Sequence, residues 1–531
     1  MTPDTPPRPA FPTLAWLLVL MAALLPWGIF QIDYALREDV TWLVEAGQRL
    51  LNGGRYVTDV FEVNPPLSIL LYLPLAISTD ISHSSLPYAF FIYIIALTTV
   101  FACLTNAVIK RYEFLNGQER AVFIAGYVLA CTALPLWVEF GQREQIIFMG
   151  ILPMILLQIG MTFSPTVKRG PEFWPVMVLG SVAMLIKPHY GVFAAVIMLL
   201  RMIRQRRVSV MFDRDFIVLE ALTVLYVIGT IILIPDYVFE YLPDVVTFYA
   251  GFGSFVAVAH KAIPYLVIFA MLSAAAYAIP MNLRVKKTLW LMIACGVLCL
   301  IPYAVQMKGF SYHIYPAKGF AFCALALVVC GIFSTRARLA ASPLYAVLAL
   351  IALCYVIHPL NTRMTTHDDY RHLPLTQKVM ECNRPDCRFF MYVYGANFVY
   401  TTGYYAWQNH TSRFSDFWIP WGLYMEYEKL KEGTSRFSKE ELDQYFIRHI
   451  RMLTEDISKG KPDQIFICQN CANDPFFDFL SIMNRDPSFA DEWKNYREAE
   501  TFTVNRGAYY KGTKAEASVP LTFKRYTRIA D

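Results

Sequence analysis

The sequence predicts a polytopic α-helical membrane protein of about eleven transmembrane helices, followed by a soluble C-terminal α/β domain. Three observations predict it. The 531 residues are 56% apolar, 15% aromatic and only 17% charged, a balance unlike that of a water-soluble enzyme. The apolar residues gather into runs that can cross hydrocarbon, which takes about 20 helical residues at 1.5 Å each. Near residue 361 the hydrophobicity falls and stays low to residue 531.

Taken in chain order, residues 1–13 are a cytoplasmic tail, Pro-rich and expected to be disordered over 1–10. The apolar run 14–32 has no Ala-x-Ala-like cleavage site before the polar loop that follows, and so reads as a retained anchor, not a signal peptide. Further spans are expected at 88–109, 120–137, 145–163, 173–186, 190–203, 216–235, 262–280, 288–305, 317–333 and 341–360. The pair 173–186 and 190–203 is short and interrupted by Pro188. Together these define a membrane domain over 14–360. Residues 67–77 are apolar but only 11 long and contain Pro74. They read as an interfacial or re-entrant helix.

Charge decides that last point. Threaded this way, fifteen Lys and Arg between residues 110 and 338 fall on one face, among them Lys110, Arg111, Lys168, Arg169, Arg207 and Arg214. The other face holds eight, including Arg37, Arg49, Arg143, Lys187, Lys308 and Lys318. Counting 67–77 as a span would invert every later loop. The cation-rich face is cytoplasmic by the positive-inside rule, which puts the first loop and the C-terminal domain outside.

Residues 361–531 suffice for one domain. Phe389-Phe-Met-Tyr-Val-Tyr394 and Gln464-Ile-Phe-Ile-Cys468 read as buried strands, and 438–458 as an amphipathic helix opening on a capping signature. Cys103, Cys131, Cys295, Cys299, Cys323, Cys330 and Cys354 fall within spans as small apolar residues. Cys382, Cys387, Cys468 and Cys471 lie in the outer domain, where two disulfides are expected over zinc or free thiols. The sequence leaves their pairing open. No P-loop, GxSxG or HExxH motif occurs, which removes the common nucleotide, hydrolase and zinc-protease readings.

The outer-face loops concentrate ionisable residues of both signs. The first loop carries Glu38, Asp39, Glu45, Asp59 and Glu62, with Asn64 before Pro65-Pro66-Leu67. Later loops carry Glu139, Arg143 and Glu144, then Lys187 and His189, then His260 and Lys261, then Lys308, His313 and Lys318. Charges at membrane depth are costly and mark pathways or sites, although a single Lys or Arg at a span end can be an interfacial anchor. For Asp39 the plain alternative is a helix N-cap, for Arg143 and Glu144 an ion pair with each other, and for His313 an aromatic-belt position. As a set, these residues suit transfer of a sugar from a lipid-phosphate donor. A carboxylate takes the acceptor's proton, and cations or a metal stabilise charge gathering on the leaving phosphate. Asp39 would be the base, with Arg143, Lys187, Lys308 and Lys318 as the cationic clamp and His189 and His313 as hydrogen-bond donors. The apolar stripe 67–77 and its flanking spans would seat a polyprenyl tail.

The stretch from Asp39 through Gly53, followed by Tyr56-x-x-Asp59-Val-Phe-Glu62 and Pro65-Pro66-Leu67, resembles the first external loop of GT-C membrane glycosyltransferases. The branch is that of protein O-mannosyltransferases and lipid A aminoarabinose transferases. The resemblance covers roughly 1–360 and is strongest over 37–70. It implies that the acidic position at Asp39 is catalytic or metal-associated, with Gly53 at the family's glycine. It also implies a non-spanning Pro-Pro-Leu helix and Arg143 at the donor phosphate. Two features depart from the family: Asn64 stands where many relatives have Lys or His, and the acidic pair runs Glu38-Asp39.

The expectation is therefore a multi-pass bacterial inner-membrane hexosyl- or pentosyltransferase with its site facing the periplasm. Its catalytic candidates are Asp39, Glu38 and Glu62. Donor-phosphate candidates are Arg143, Lys187, His189, Lys308, His313 and Lys318, and substrate-binding candidates are Asp59, Asn64 and Glu144. A Mg²⁺ or Mn²⁺ ion on Asp39 and Glu62 is possible in principle; no spacing compels it. The partners are a polyprenyl-phosphate sugar, the bilayer, and a glycan, lipid or protein acceptor of the envelope, with no nucleic acid. The competing readings are a ligase or polymerase of lipid-pyrophosphate-linked glycans, and a transporter. A transporter would place its charges at mid-span.

Overall fold

The protein is represented by a computed structural model. It describes residues 32–529 apart from 83–84, 137, 250–252, 337–341, 358–365, 383, 385, 394–398, 415–417, 472–474 and 506–519. The expected tail and nearly all of the expected first span therefore lie outside the described residues.

Each of the ten later spans overlaps a helix over its described residues. Among the described residues six helices are long and apolar enough to cross a membrane: Leu86–Arg111, Arg143–Phe163, Arg214–Leu233, Phe255–Ala278, Leu283–Gln306 and Tyr312–Ile332. Gly117–Thr132, Phe173–Ile186, Val192–Gln205 and Ser342–Ile357 are shorter apolar helices. The chain is thus a polytopic helical membrane protein. The stripe 67–77 forms two short helices, Leu67–Leu70 and Leu73–Ser82. The longer rises only about 15 Å, half the hydrocarbon thickness, and cannot span.

Some boundaries differ from expectation. The helix at 255 starts ahead of the hydropathic run at 262, because Ser254 caps it by accepting the Ala257 N–H, so His260 and Lys261 are helical and not in a loop. Lys318 likewise lies in the first turn of Tyr315–Arg336. Cys103 is exposed, unlike the other six span cysteines, which are buried. It lies on Leu86–Arg111, whose outward face is apolar (Tyr88, Ile92 and Val100 are exposed), as lipid contact requires.

The described residues pack as two compact units. One contains residues 88–227 and 254–362 and holds most of the membrane helices. The other combines 33–87, 228–253 and 363–531, so the first external loop packs in the same unit as the C-terminal residues. That unit carries a five-stranded mixed sheet, ordered β2-β1-β3-β5-β4, of β1 (Arg388–Tyr392), β2 (Asn409–His410), β3 (Gln464–Cys468), β4 (Tyr496–Asn505) and β5 (Pro520–Arg528). β1 is parallel to β2 and β3, while β5 runs antiparallel to β3 and β4.

Strands β1 and β3 are the two that read as buried runs, and Phe389, Phe390, Ile465 and Phe466 are fully buried. β4 and β5 were not legible, since charged and polar residues interrupt their apolar positions. The helix Lys439–Gly460 opens on a capping box, Ser438 with Glu441. The cysteines form two local disulfides, Cys382–Cys387 and Cys468–Cys471. Among the described residues of 386–428 the aromatic side chains are mainly core, with Trp407 and Trp421 exposed.

Candidate functional site

In the unit holding the first loop, the helix Glu38–Leu51 carries the acidic pair in its first turn. Arg37 is the N-cap, so Asp39 is not the capping residue. Glu38 is buried, and its two oxygens accept the backbone N–H groups of Tyr400 (2.5 Å) and Thr401 (3.0 Å). It thereby ties the helix to the first turn of Val399–Ala406. Burial pushes its carboxyl up to about 7, against the lowering effect of those hydrogen bonds. Asp39, one residue on, is part-exposed.

Glu62 is buried, accepting from the Trp42 indole N–H, the Asn64 backbone N–H (2.9 Å) and the Asn64 side-chain amide. Asn64 thus engages Glu62 through both its backbone and its side chain. Asp59 is exposed and closes a turn by accepting from Arg55 N–H (2.9 Å) and the Thr58 hydroxyl (2.8 Å). Gly53, at φ +86°, makes the left-handed turn after the helix, a conformation that favours glycine. A divalent ion on Asp39 and Glu62 fits poorly, because both Glu62 oxygens already accept N–H groups. Among the described residues one trio of potential ligands lies close together, Cys382, Cys387 and Asp463, and its two sulfurs are joined in the disulfide.

A polar cleft of about 740 Å³ opens in the same unit. Arg49, Gly53 and Asp59 line it from the first loop, and His410, Arg413 and Asp456 from the C-terminal residues. Its walls are braced by buried charge: Arg413 Nε donates to Asp456 (2.6 Å), and Arg49 donates to the carbonyls of His410 (2.6 Å) and Ser412 (2.7 Å). Sequence reasoning missed Arg413 and Asp456. Nothing in their local pattern marks them.

The membrane-helix unit gathers most of the expected phosphate-binding residues. Arg143 and Glu144 open the helix Arg143–Phe163, and both are buried. Glu144 does not pair with Arg143. Its Oε1 accepts from Lys187 Nζ at 2.5 Å and lies 3.4 Å from His313 Nε2. Lys187 also donates to Gln306 Oε1 (2.9 Å), a residue the sequence did not single out. Lys187, Arg143, His189 and Lys308 all lie within electrostatic reach of His313.

Lys318 stands apart, paired with Glu139 at 2.7 Å. Glu139 also accepts the Leu136 N–H (2.7 Å), bracing the turn that leads to Arg143. Gly141 completes that turn at φ +71°, with its Cα against the Phe90 ring.

Among the described residues, Glu144 Oε2, His189 Nε2 and His313 Nδ1 of this cluster are buried without a hydrogen-bond partner. Such groups are costly unless something satisfies them. Burial and the nearby Lys187 charge lower His189 to about 4, so it is a neutral hydrogen-bonding group at neutral pH. Burial lowers Lys308 to about 8. Three cations against one carboxylate, at the positive end of a 21-residue helix, make a cluster suited to an anion.

No protein-family model matches the chain, and no curated protein matches it. Solved structures do, among them two of ArnT from Cupriavidus metallidurans, one in the apo state and one bound to undecaprenyl phosphate. The sequence identity is 13% and the TM-score 0.51 for each, over 96% and 97% of this chain and 98% of that one. The likeness shows that the chain has the fold of ArnT.

Proposed function

We propose that the protein is a membrane glycosyltransferase that moves a sugar from a polyprenyl-phosphate donor to an envelope glycan, lipid or protein. The observation that carries this reading is the buried Arg143–Glu144–Lys187–His313 cluster with its unsatisfied polar atoms. The binding of undecaprenyl phosphate by ArnT, which has this fold, supports it.

In the reaction, an acceptor hydroxyl oxygen attacks the anomeric carbon as the bond from that carbon to the donor phosphate oxygen breaks. The hydroxyl proton passes to Asp39, and the electron pair leaves with the phosphate, inverting the anomeric centre. The phosphate gains one negative charge in this step. Arg143, Lys187 and Lys308 stabilise that gain, and His189 and His313 serve as hydrogen-bonding groups. Glu38 and Glu62 position the first loop, Asn64 holds Glu62, and Asp59 faces the acceptor. Lys318 steadies the turn before Arg143. The polar cleft lined by Asp59 and Arg413 receives part of the acceptor. A net charge of two cations suits a monophosphate donor better than a pyrophosphate.

The site and the C-terminal domain face the periplasm of a bacterial inner membrane, and the tail over 1–13 is cytoplasmic, with residues 14–360 forming the membrane domain. Protease added to spheroplasts should cleave within 361–531, and protection there would reverse the topology. The direct test is transfer from radiolabelled polyprenyl-phosphate sugars by reconstituted protein. Asp39→Asn should lose at least about a hundredfold in rate, the scale of general-base catalysis, while remaining folded. Equal rates would remove Asp39 as the base. Turnover only with pyrophosphate-linked donors would favour a ligase or polymerase. Transfer abolished by chelation would make Asp39 a metal ligand.

A further inference from the structure

The opposite end of the helix Arg143–Phe163 borders a second cavity, of about 470 Å³. A helix of 21 residues separates its two ends by about 30 Å, so this cavity lies a membrane thickness away from the Arg143 cluster. Its cationic lining is Lys168, Arg169, Arg201, Arg207 and Arg214, and Asp213 is its carboxylate.

Two of the cations are already committed. Arg201 is buried and makes paired hydrogen bonds to Asp215 (both 2.8 Å), with further ones to Thr162 (3.0 Å) and the Gln158 carbonyl (3.0 Å). It locks together Arg143–Phe163, Val192–Gln205 and Arg214–Leu233 and forms a rigid floor. Arg207 pairs with Asp213 through both carboxylate oxygens (2.7 and 2.8 Å). Asp213 is further neutralised by Arg201 at 3.2 Å.

Lys168, Arg169 and Arg214 are different. All three are exposed, and among the described residues none of them has an ion-pair partner; Arg169 lies over the Phe173 ring. Beside them the chain exposes large apolar side chains where a soluble surface would not: Phe163, Ile203, Val208 and Phe212. Uncompensated cations around a preformed cavity, with exposed apolar side chains on the same chain segments that form it, match the two-part chemistry of a phospholipid. The cations meet the headgroup phosphate and the apolar groups meet the acyl chains.

We propose that this cavity binds the headgroup of an anionic phospholipid in the leaflet opposite the proposed transfer site. The site is independent of sugar transfer and anchors the cation-rich ends of three helices to that leaflet.

The test is native mass spectrometry of the purified full-length protein after exchange into phosphatidylglycerol or phosphatidylcholine. Wild type and the double variant Lys168→Gln/Arg214→Gln are compared, with inorganic phosphate as competitor. Both substituted residues are exposed and unpaired, so the variant should keep the wild-type melting temperature. Wild type should retain phosphatidylglycerol in preference to phosphatidylcholine. The double variant should lose roughly thirtyfold in that preference, as expected for two cations near a charged headgroup. Equal retention of the two lipids, or a variant indistinguishable from wild type, would overturn the proposal. Displacement by inorganic phosphate at the same concentration as by lipid would overturn it too, assigning the cavity to free phosphate.

Discussion

Glu38 and Asp39 are adjacent in sequence, and the structure gives them different environments. Glu38 is buried and raised from 4.5 to about 7, so its contribution to stability is complete below about 4.5 and is lost as pH rises through about 7. Thermal unfolding in detergent should show that loss, up to about 3 kcal/mol, between pH 5 and pH 8, and Glu38→Gln should flatten it. Lys308 titrates in the opposite functional sense. Lowered to about 8, it gives up its charge as pH rises through that value, so the KM for a phosphate donor should climb above pH 8. Lys308→Arg should abolish the climb, because arginine stays charged. Lys187 and Glu144 form a buried pair, and removing one partner strands a charge. Lys187→Met should cost about 3–5 kcal/mol, and the double variant Lys187→Met/Glu144→Gln should recover much of it in a double-mutant cycle.

At the scale of elements, the position of Arg143 and Glu144 depends on how their helix begins. Gly141 turns the chain at φ +71°, and a Cβ there would sit 1.8 Å from the Phe90 ring. Gly141→Ala should therefore destabilise by about 1–3 kcal/mol or more, as overpacking does, and reduce donor affinity by displacing Arg143. A melting curve and a KM measurement check the two effects. Helices were the most legible part of the chain, because a run of apolar residues is a local signal. The Ser438–Glu441 capping box was legible for the same reason. Strands β4 and β5 were not: Tyr496–Asn505 is mostly exposed or part-exposed, so its pattern carries no continuous apolar run.

For the whole molecule, chain order and packing part company. Hydropathy draws a line near residue 361, whereas residues 33–87 pack in one unit with 363–531. The contacts include Glu38 with Tyr400 and Thr401, Arg49 with His410 and Ser412, and Arg413 with the Val57 carbonyl (2.9 Å). Deleting 363–531 should therefore unfold the first loop and abolish all transfer, not merely broaden acceptor choice. Limited proteolysis of the truncated protein should show new cleavage within 33–66. A truncated enzyme that kept donor turnover would show that the loop folds without those contacts.

The sequence alone determined that this is a polytopic membrane protein with an α/β domain after its spans, that the 67–77 stripe is too short to cross, and which ionisable residues are candidates for chemistry. Those features rest on local composition and on charge counted along the chain. Only the tertiary structure decided that Glu144 pairs with Lys187 and His313 and not with Arg143, that Gln306 joins them, and that Glu38 and Glu62 are engaged by N–H donors. It alone set the disulfides as two local pairs. The physical reason is the same throughout: a partner across the fold leaves no trace in local sequence, because hydrogen bonds and ion pairs depend on distance in space and not along the chain.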